Sequence, residues 1–264
     1  MLIRPATPTD LDAALRVIGD AFGIVVQPPT VHTTVAEDPD GHFLVAERDG
    51  AILGTGASVG FGRNGWLGGI AVRPEARGER LGQRLTEAAI DVLGPRDSVL
   101  LLASEAGRPI YERLGFEVEE RYVVLWSPPD TPAPVPNGLR RLTAADRDAV
   151  LELDEWVTGE SRTLAVDVAL EGALATEDLS AVALKPPWPA LPILARDPAA
   201  GEALLRALIA PGLRLAVPES NTAAVETLRS LGCTDGPDVV RMRRGAPVAW
   251  RPEGLWGVFS LFFG

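Results

Sequence analysis

Five prolines fall within the twelve residues Ser127 to Gly138, and no helix or central strand tolerates such a run. Each proline removes a backbone donor and holds φ near the polyproline value. The 264-residue chain is therefore expected to fold as two units, 1–126 and 139–264, joined by a linker at 127–138. Charge is spread evenly over both units, so neither reads as a tail.

Short patterns recur in the same order in the two units. Leu2-Ile3-Arg4, then Thr7 to Leu15, is echoed by Leu139-Arg140-Arg141, then Thr143 to Leu151. Near the other end, Tyr111-Glu112-Arg113-Leu114-Gly115-Phe116 is echoed by Leu228-Arg229-Ser230-Leu231-Gly232-Cys233. Agreement at both ends argues for tandem copies, the second shorter inside.

Charge bounds the partners. With 25 basic against 36 acidic residues the net charge is −11, which disfavours nucleic acid and anionic membranes. One cysteine and two histidines leave little for a disulfide or a protein metal site. The first dozen residues do not read as a signal peptide, and no apolar run approaches 18 residues, so a soluble cytoplasmic protein is expected. Lys185 is the one lysine among the basic residues, which fits GC-rich bacterial coding.

Periodicity in the first unit predicts a strand near 2–4, a helix carrying Leu11, Leu15, Ile18 and Phe22, and strands at 43–47, 52–59 and 66–72. Asp49-Gly50 is a type I′ hairpin signal between two of them. A helix over 78–93, a buried strand over 98–103, a helix over 108–114 and a strand over 116–126 complete a mixed α/β layer.

The stretch Ile70 to Leu85 carries the most chemistry. A buried strand stops at Pro74, a turn with arginine and glycine follows, and a helix starts, so free N–H groups and the positive helix end converge. That is an anion site. Arg77, Arg80 and Arg84 recur at helical spacing and add local positive charge to an acidic chain, which points to a phosphate-bearing ligand.

On these residues the first unit resembles the GNAT superfamily of acyl-CoA-dependent N-acyltransferases. Arg77-Gly78-Glu79-Arg80-Leu81-Gly82 matches the family's Gln/Arg-x-x-Gly-x-Gly/Ala loop at Arg77 and Gly82, with Arg80 where the middle glycine is usual. Tyr111 to Phe116 looks like its Tyr-x-x-Leu/Met-Gly-Phe element. The resemblance implies two tandem GNAT-like domains and acetyl-CoA or a related thioester as acyl donor. Pantetheine would lie along Ile70, Ala71 and Val72, and pyrophosphate on Arg77, Gly78, Glu79, Arg80, Leu81 and Gly82. It further implies direct aminolysis of the thioester, without metal. A backbone N–H near Ala71 or Val72 would hold the oxyanion, and Tyr111 would be the acid that protonates the leaving thiolate. His32, Glu37 and Glu105 are open candidates for the base, although His32 reads first as a surface histidine.

The second unit aligns Asp197 to Glu202 with the phosphate loop but has no counterpart to Arg77, and Leu228 replaces Tyr111. It reads as a degenerate copy that keeps Pro218, Asn221 and Ala224. Cys233 is expected to be a buried thiol and Trp66 a core residue. The apolar run Trp256 to Phe263 should be a closing strand or a homodimer contact. The chain is thus expected to acetylate a primary amine of a small molecule or peptide. The alternative is a silent CoA-binding sensor or interaction module.

Overall fold

The computed structural model describes residues 1–131 and 138–264, so the centre of the expected linker, 132–137, lies outside the described residues. In the first unit strand β1 (Leu2–Pro5) leads to helix α1 (Leu11–Phe22), helix α2 (Val31–Glu37) and strands β2 (Gly41–Arg48), β3 (Ala51–Phe61) and β4 (Asn64–Val72). Helix α3 (Leu81–Leu93), strand β5 (Ser98–Ser104), helix α4 (Arg108–Arg113) and strand β6 (Glu117–Trp126) follow. Asp49 and Gly50 have φ of 52° and 81°, as the type I′ turn requires. Helix α2 is an element that the periodicity of the first unit does not predict. Thr30 caps it, its hydroxyl accepting the Thr33 N–H at 3.2 Å while the Thr33 hydroxyl accepts the Thr30 N–H at 3.0 Å.

The second unit contains β7 (Arg140–Arg141), α5 (Arg147–Thr158), α6 (Thr163–Ala169), β8 (Leu174–Ala175), β9 (Ala181–Ala183) and β10 (Ile193–Ala195). It continues with α7 (Pro198–Leu208), β11 (Arg214–Pro218), α8 (Thr222–Ser230), β12 (Thr234–Asp235), β13 (Val239–Gly245) and β14 (Leu255–Gly257). The sequence echoes recur as hydrogen bonds. Arg4 donates to Asp10 at 2.6 Å and Arg140 to Asp146 at 2.8 Å. The same carboxylates accept the Thr7 and Thr143 amides at 2.7 and 2.8 Å. Past α4 the Phe116 amide donates to the Tyr111 carbonyl at 3.0 Å, and past α8 the Cys233 amide donates to the Leu228 carbonyl at 3.1 Å.

The strands do not respect the boundary between units. One sheet runs β1-β2-β3-β4-β5-β13-β6-β11, with β12 also on β6. Strand β13 of the second unit therefore lies between β5 and β6 of the first, antiparallel to both, while β6 pairs with β11 of the second. Each unit lends its late strand to the other. The remaining strands form a second sheet, β14-β10-β9-β8-β7.

Alternation along the strands sends side chains to two covered faces. Leu44, Leu67, Val99 and Leu101 pack with Ala89 and Leu93 of α3 and Tyr111 of α4. On the opposite face Phe43, Val45, Val59, Trp66 and Leu100 join α1, α2 and the second unit in one core. Trp66 is fully buried, as expected, and its indole donates to Glu160 at 2.7 Å across the boundary. Beside it Arg162 pairs with Asp154 at 2.6 Å, and Arg241 stacks over Trp66 and Trp250 at 5.2 and 4.4 Å. Cys233 is a buried thiol in the second core, and burial raises its pKa.

The terminal apolar run has a role that differs from a closing strand alone. Only Leu255–Gly257 is strand. The residues after it turn back onto β4, bringing the Phe262 carbonyl so close to Gly68 that a Cβ there would sit 2.3 Å from it. Phe263 is fully buried in the core shared by the two units. No helix among the described residues is long and apolar enough to cross a membrane.

Candidate active site

Strand β4 pairs in parallel with β5 only from Asn64 to Leu67; beyond it the two strands separate. The separation opens a cleft of about 620 Å³ between Ile70–Val72, the turn before α3, and the Ser104–Tyr111 segment. Ile70, Ala71, Val72, Arg77, Gly78, Arg80, Leu81 and Gly82 all line it, and so does Tyr111. Residues far apart in sequence thus meet in one groove, with its walls on two strands and two helices.

The amide of Arg73 donates to Leu53 on β3 at 2.9 Å. By strand alternation the Val72 amide then points away from β3, toward the gap, while that of Ala71 points toward β3. Of the two positions left open by the sequence, Val72 offers its N–H to the cleft. Its carbonyl accepts Arg77 Nε at 3.3 Å. Three residues before Val72, Gly69 has φ of 60° at a register shift between β3 and β4, and the Thr55 hydroxyl holds its carbonyl at 2.7 Å.

Helix α3 starts at Leu81 rather than Gly78, and its first backbone bond runs from the Arg84 amide to the Arg80 carbonyl at 3.1 Å. The amides of Leu81, Gly82 and Gln83 accordingly have no carbonyl beneath them in the helix. Arg80 takes a left-handed conformation, φ 56°, at the position where the family motif has glycine. Two side chains depart from the expected set. Glu79 pairs with Arg48 and turns from the cleft. Arg84 donates to the Met1 carbonyl at 3.3 Å, and Arg77 precedes the helix, so the three arginines do not share a helical face. Arg113, two residues after Tyr111, also lines the cleft, and no sequence motif singles it out.

Tyr111 is buried, with its ring 6.0 Å from Phe116, and desolvation raises its pKa above the ordinary value, which keeps the hydroxyl protonated. The three candidate bases separate. Glu37 and Glu105 are exposed and line no part of the cleft. His32 is not the surface histidine its sequence suggested: only 1% of it is exposed, because Val31 and Val35 anchor α2 in the core. Neither ring nitrogen has a hydrogen-bond partner, and burial lowers its pKa to about 3, so the imidazole is neutral. Its Nε2 lies 2.7 Å from where a Cβ on Gly69 would be.

The corresponding cleft of the second unit is filled. Strand β14 pairs with β10, packs beside β11, and places Trp256 against Gly201 in the first turns of α7, where a Cβ would lie 2.5 Å from the indole. Asn221 donates to the carbonyls of Glu253 and Leu255, at 3.2 and 3.0 Å, and so holds β14 in place. The Asp197 carboxylate accepts the Ala199 amide at 3.1 Å, setting a negative charge where the first unit presents arginines.

Residues 39–118 match the family described as acetyltransferase (GNAT) domain. A curated protein of Bacillus subtilis (strain 168), provisionally named ribosomal protein bS18-alanine N-acetyltransferase, is 23% identical over 120 residues, covering 44% of this chain and 80% of the relative. Among solved structures, an acetyltransferase so described from Pyrococcus horikoshii superposes with a TM-score of 0.83 at 22% identity, covering 100% of this chain and 95% of that one. A GCN5-related N-acetyltransferase from Sphaerobacter thermophilus gives 0.61 at 20% identity, covering 94% and 98%. At these identities the structural likeness establishes the fold.

Proposed function

We propose that this chain is an acyltransferase that moves an acetyl group from acetyl-CoA to a primary amine, a reading supported by the match of residues 39–118 to the GNAT acetyltransferase domain. Residues 1–126 are the catalytic unit in this reading and 139–264 a degenerate copy. The observation that carries it is the single cleft that collects Ile70–Val72, the Arg77–Gly82 turn and Tyr111. Pyrophosphate fits the open amides of Leu81 to Gln83 beside Arg77, Arg80 and Arg113, and pantetheine fits the gap between β4 and β5.

Aminolysis then follows from the residues present. The amine nitrogen bonds to the thioester carbon, and the Val72 N–H stabilises the oxygen as it gains charge. Once bonded, the nitrogen is acidic and must give up its proton; this reading assigns that role to neutral His32, whose ring lies against Gly69 at the bend before Ile70. The carbon–sulfur bond breaks, and Tyr111 gives its proton to the thiolate. The amide and CoA leave, and the cycle closes when His32 releases its proton to solvent and Tyr111 takes one back. The acceptor is a small molecule or a peptide amino terminus; the name of the Bacillus subtilis relative favours the latter, and the chemistry of the adjoining cavity favours the former.

Calorimetric titration with acetyl-CoA is the test. Binding by the wild type that is lost on combining Arg77→Ala with Arg80→Ala is expected, and absence of binding to the wild type would overturn the reading. Tyr111→Phe should lower turnover by roughly 100-fold while the acetyl-CoA affinity stays within about twofold. Binding of acetyl-CoA with no amine consumed would leave a sensor instead of an enzyme.

A further inference from the structure

A second cavity, of about 330 Å³, lies between the units, walled by the Ile24–His32 segment, the Trp188–Leu191 segment, the start of β11 and the terminal turn. His32 and Phe262 stand where it adjoins the thioester cleft. Phe262 lies 4.4 Å from His32 and 5.4 Å from Phe22, which lines that cleft, while Phe262 lines the cavity. The space beyond His32 and Phe262 is built by both units.

Its chemistry is specific. Valine, leucine and tryptophan side chains dominate the walls, and among the lining residues there is no aspartate, glutamate or lysine. The one fixed charge is Arg214. No carboxylate pairs with it among the described residues, its Nε is buried without a partner, and its guanidinium lies 5.6 Å over Trp126. Burial lowers its pKa because nothing anionic offsets the desolvation. A cationic, polyamine-like acceptor has no counter-charge here despite the chain's net charge of −11. An unpaired, partly buried guanidinium in an apolar pocket instead complements a carboxylate, which it can bind through two parallel hydrogen bonds.

On the acyl-transfer reading above, we infer that the acceptor is a small apolar amine carrying a carboxylate, such as an apolar α-amino acid. It is seated in the inter-unit cavity with its carboxylate on Arg214. The apolar body lies against Trp188, Leu191 and Leu261, and the terminal turn of the second unit completes the first unit's site.

Binding can be read without turnover by titrating the full chain with N-acetyl-L-leucine and following tryptophan fluorescence, since Trp126 and Trp188 line the cavity. A saturable change is expected, weakened at least about tenfold by Arg214→Ala and partly restored by Arg214→Lys. N-acetyl-L-leucinamide should bind weakly and ignore the substitution. Arg77→Ala with Arg80→Ala should leave the probe's affinity unchanged. In turnover with acetyl-CoA, Arg214→Ala should raise KM for L-leucine at least about tenfold at similar kcat and leave L-leucinamide unaffected. Thermal melting checks that the variants fold. Preference for spermidine, L-leucinamide or a peptide amide over L-leucine would overturn the inference, as would an unchanged probe affinity in Arg214→Ala. Arg214-dependent probe binding in a chain that does not bind acetyl-CoA would uphold the carboxylate site and remove the acyl-transfer reading.

Discussion

Arg80 shows how one residue can serve a site at a cost to its own backbone. A non-glycine residue in the left-handed region carries roughly 1–2 kcal/mol of strain. Arg80→Gly removes that strain but adds about 0.4–1 kcal/mol of unfolded-state freedom. Urea denaturation is therefore expected to show a gain no larger than about 1.6 kcal/mol, while acetyl-CoA affinity falls about tenfold through loss of the cation. An unchanged affinity would mean that only the backbone of this turn matters. His32 makes a similar point about reading residues singly: a histidine between threonine and valine gives no sign of burial until α2 is seen to dock.

At the scale of elements, β14 decides which cleft is open. The first unit leaves the gap between β4 and β5 free, and the second closes its counterpart with its own strand and Trp256. Trp256→Ala should destabilise the fold by about 3–5 kcal/mol, because the indole is almost fully buried. Calorimetric stoichiometry should stay at one acetyl-CoA per chain, since Asp197 and the missing arginine still disfavour phosphate. A stoichiometry of two would show that the plug alone silences the second cleft.

For the molecule as a whole, the reciprocal strand exchange makes the units interdependent. A fragment of residues 1–131 lacks β13, so β5 and β6 lose the strand between them and expose unpaired edges. Such a fragment is expected to self-associate or to melt without a cooperative transition, whereas a folded monomer by light scattering and calorimetry would contradict this. The ionic cluster at the same boundary gives stability a pH signature. Desolvation raises the Glu160 carboxyl from its ordinary 4.5 to about 6, so the folded chain keeps this proton longer than the unfolded one. Its contribution is most favourable below about 4.5 and declines as pH rises to about 6. Glu160→Gln retains an acceptor for Trp66, and should be more stable than wild type by about 1–2 kcal/mol at pH 7 and lose that advantage near pH 4.

Apart from α2, the elements of the first unit and most of the residues that line the cleft were legible in local sequence patterns. Periodicity, the Asp49-Gly50 turn and the Arg77–Gly82 loop act over a few residues, and local patterns record local physics. The echoed segments are local too, since Thr7 with Asp10 and Thr143 with Asp146 form the same cap wherever the rest of the chain goes. Only the tertiary structure decided that β13 enters the first unit's sheet, that the terminal turn covers Gly68, and that His32 and Arg214 line one cavity. Those outcomes depend on pairing between strands far apart in sequence. A short apolar strand carries no mark of which edge it will join until every competing edge has been folded.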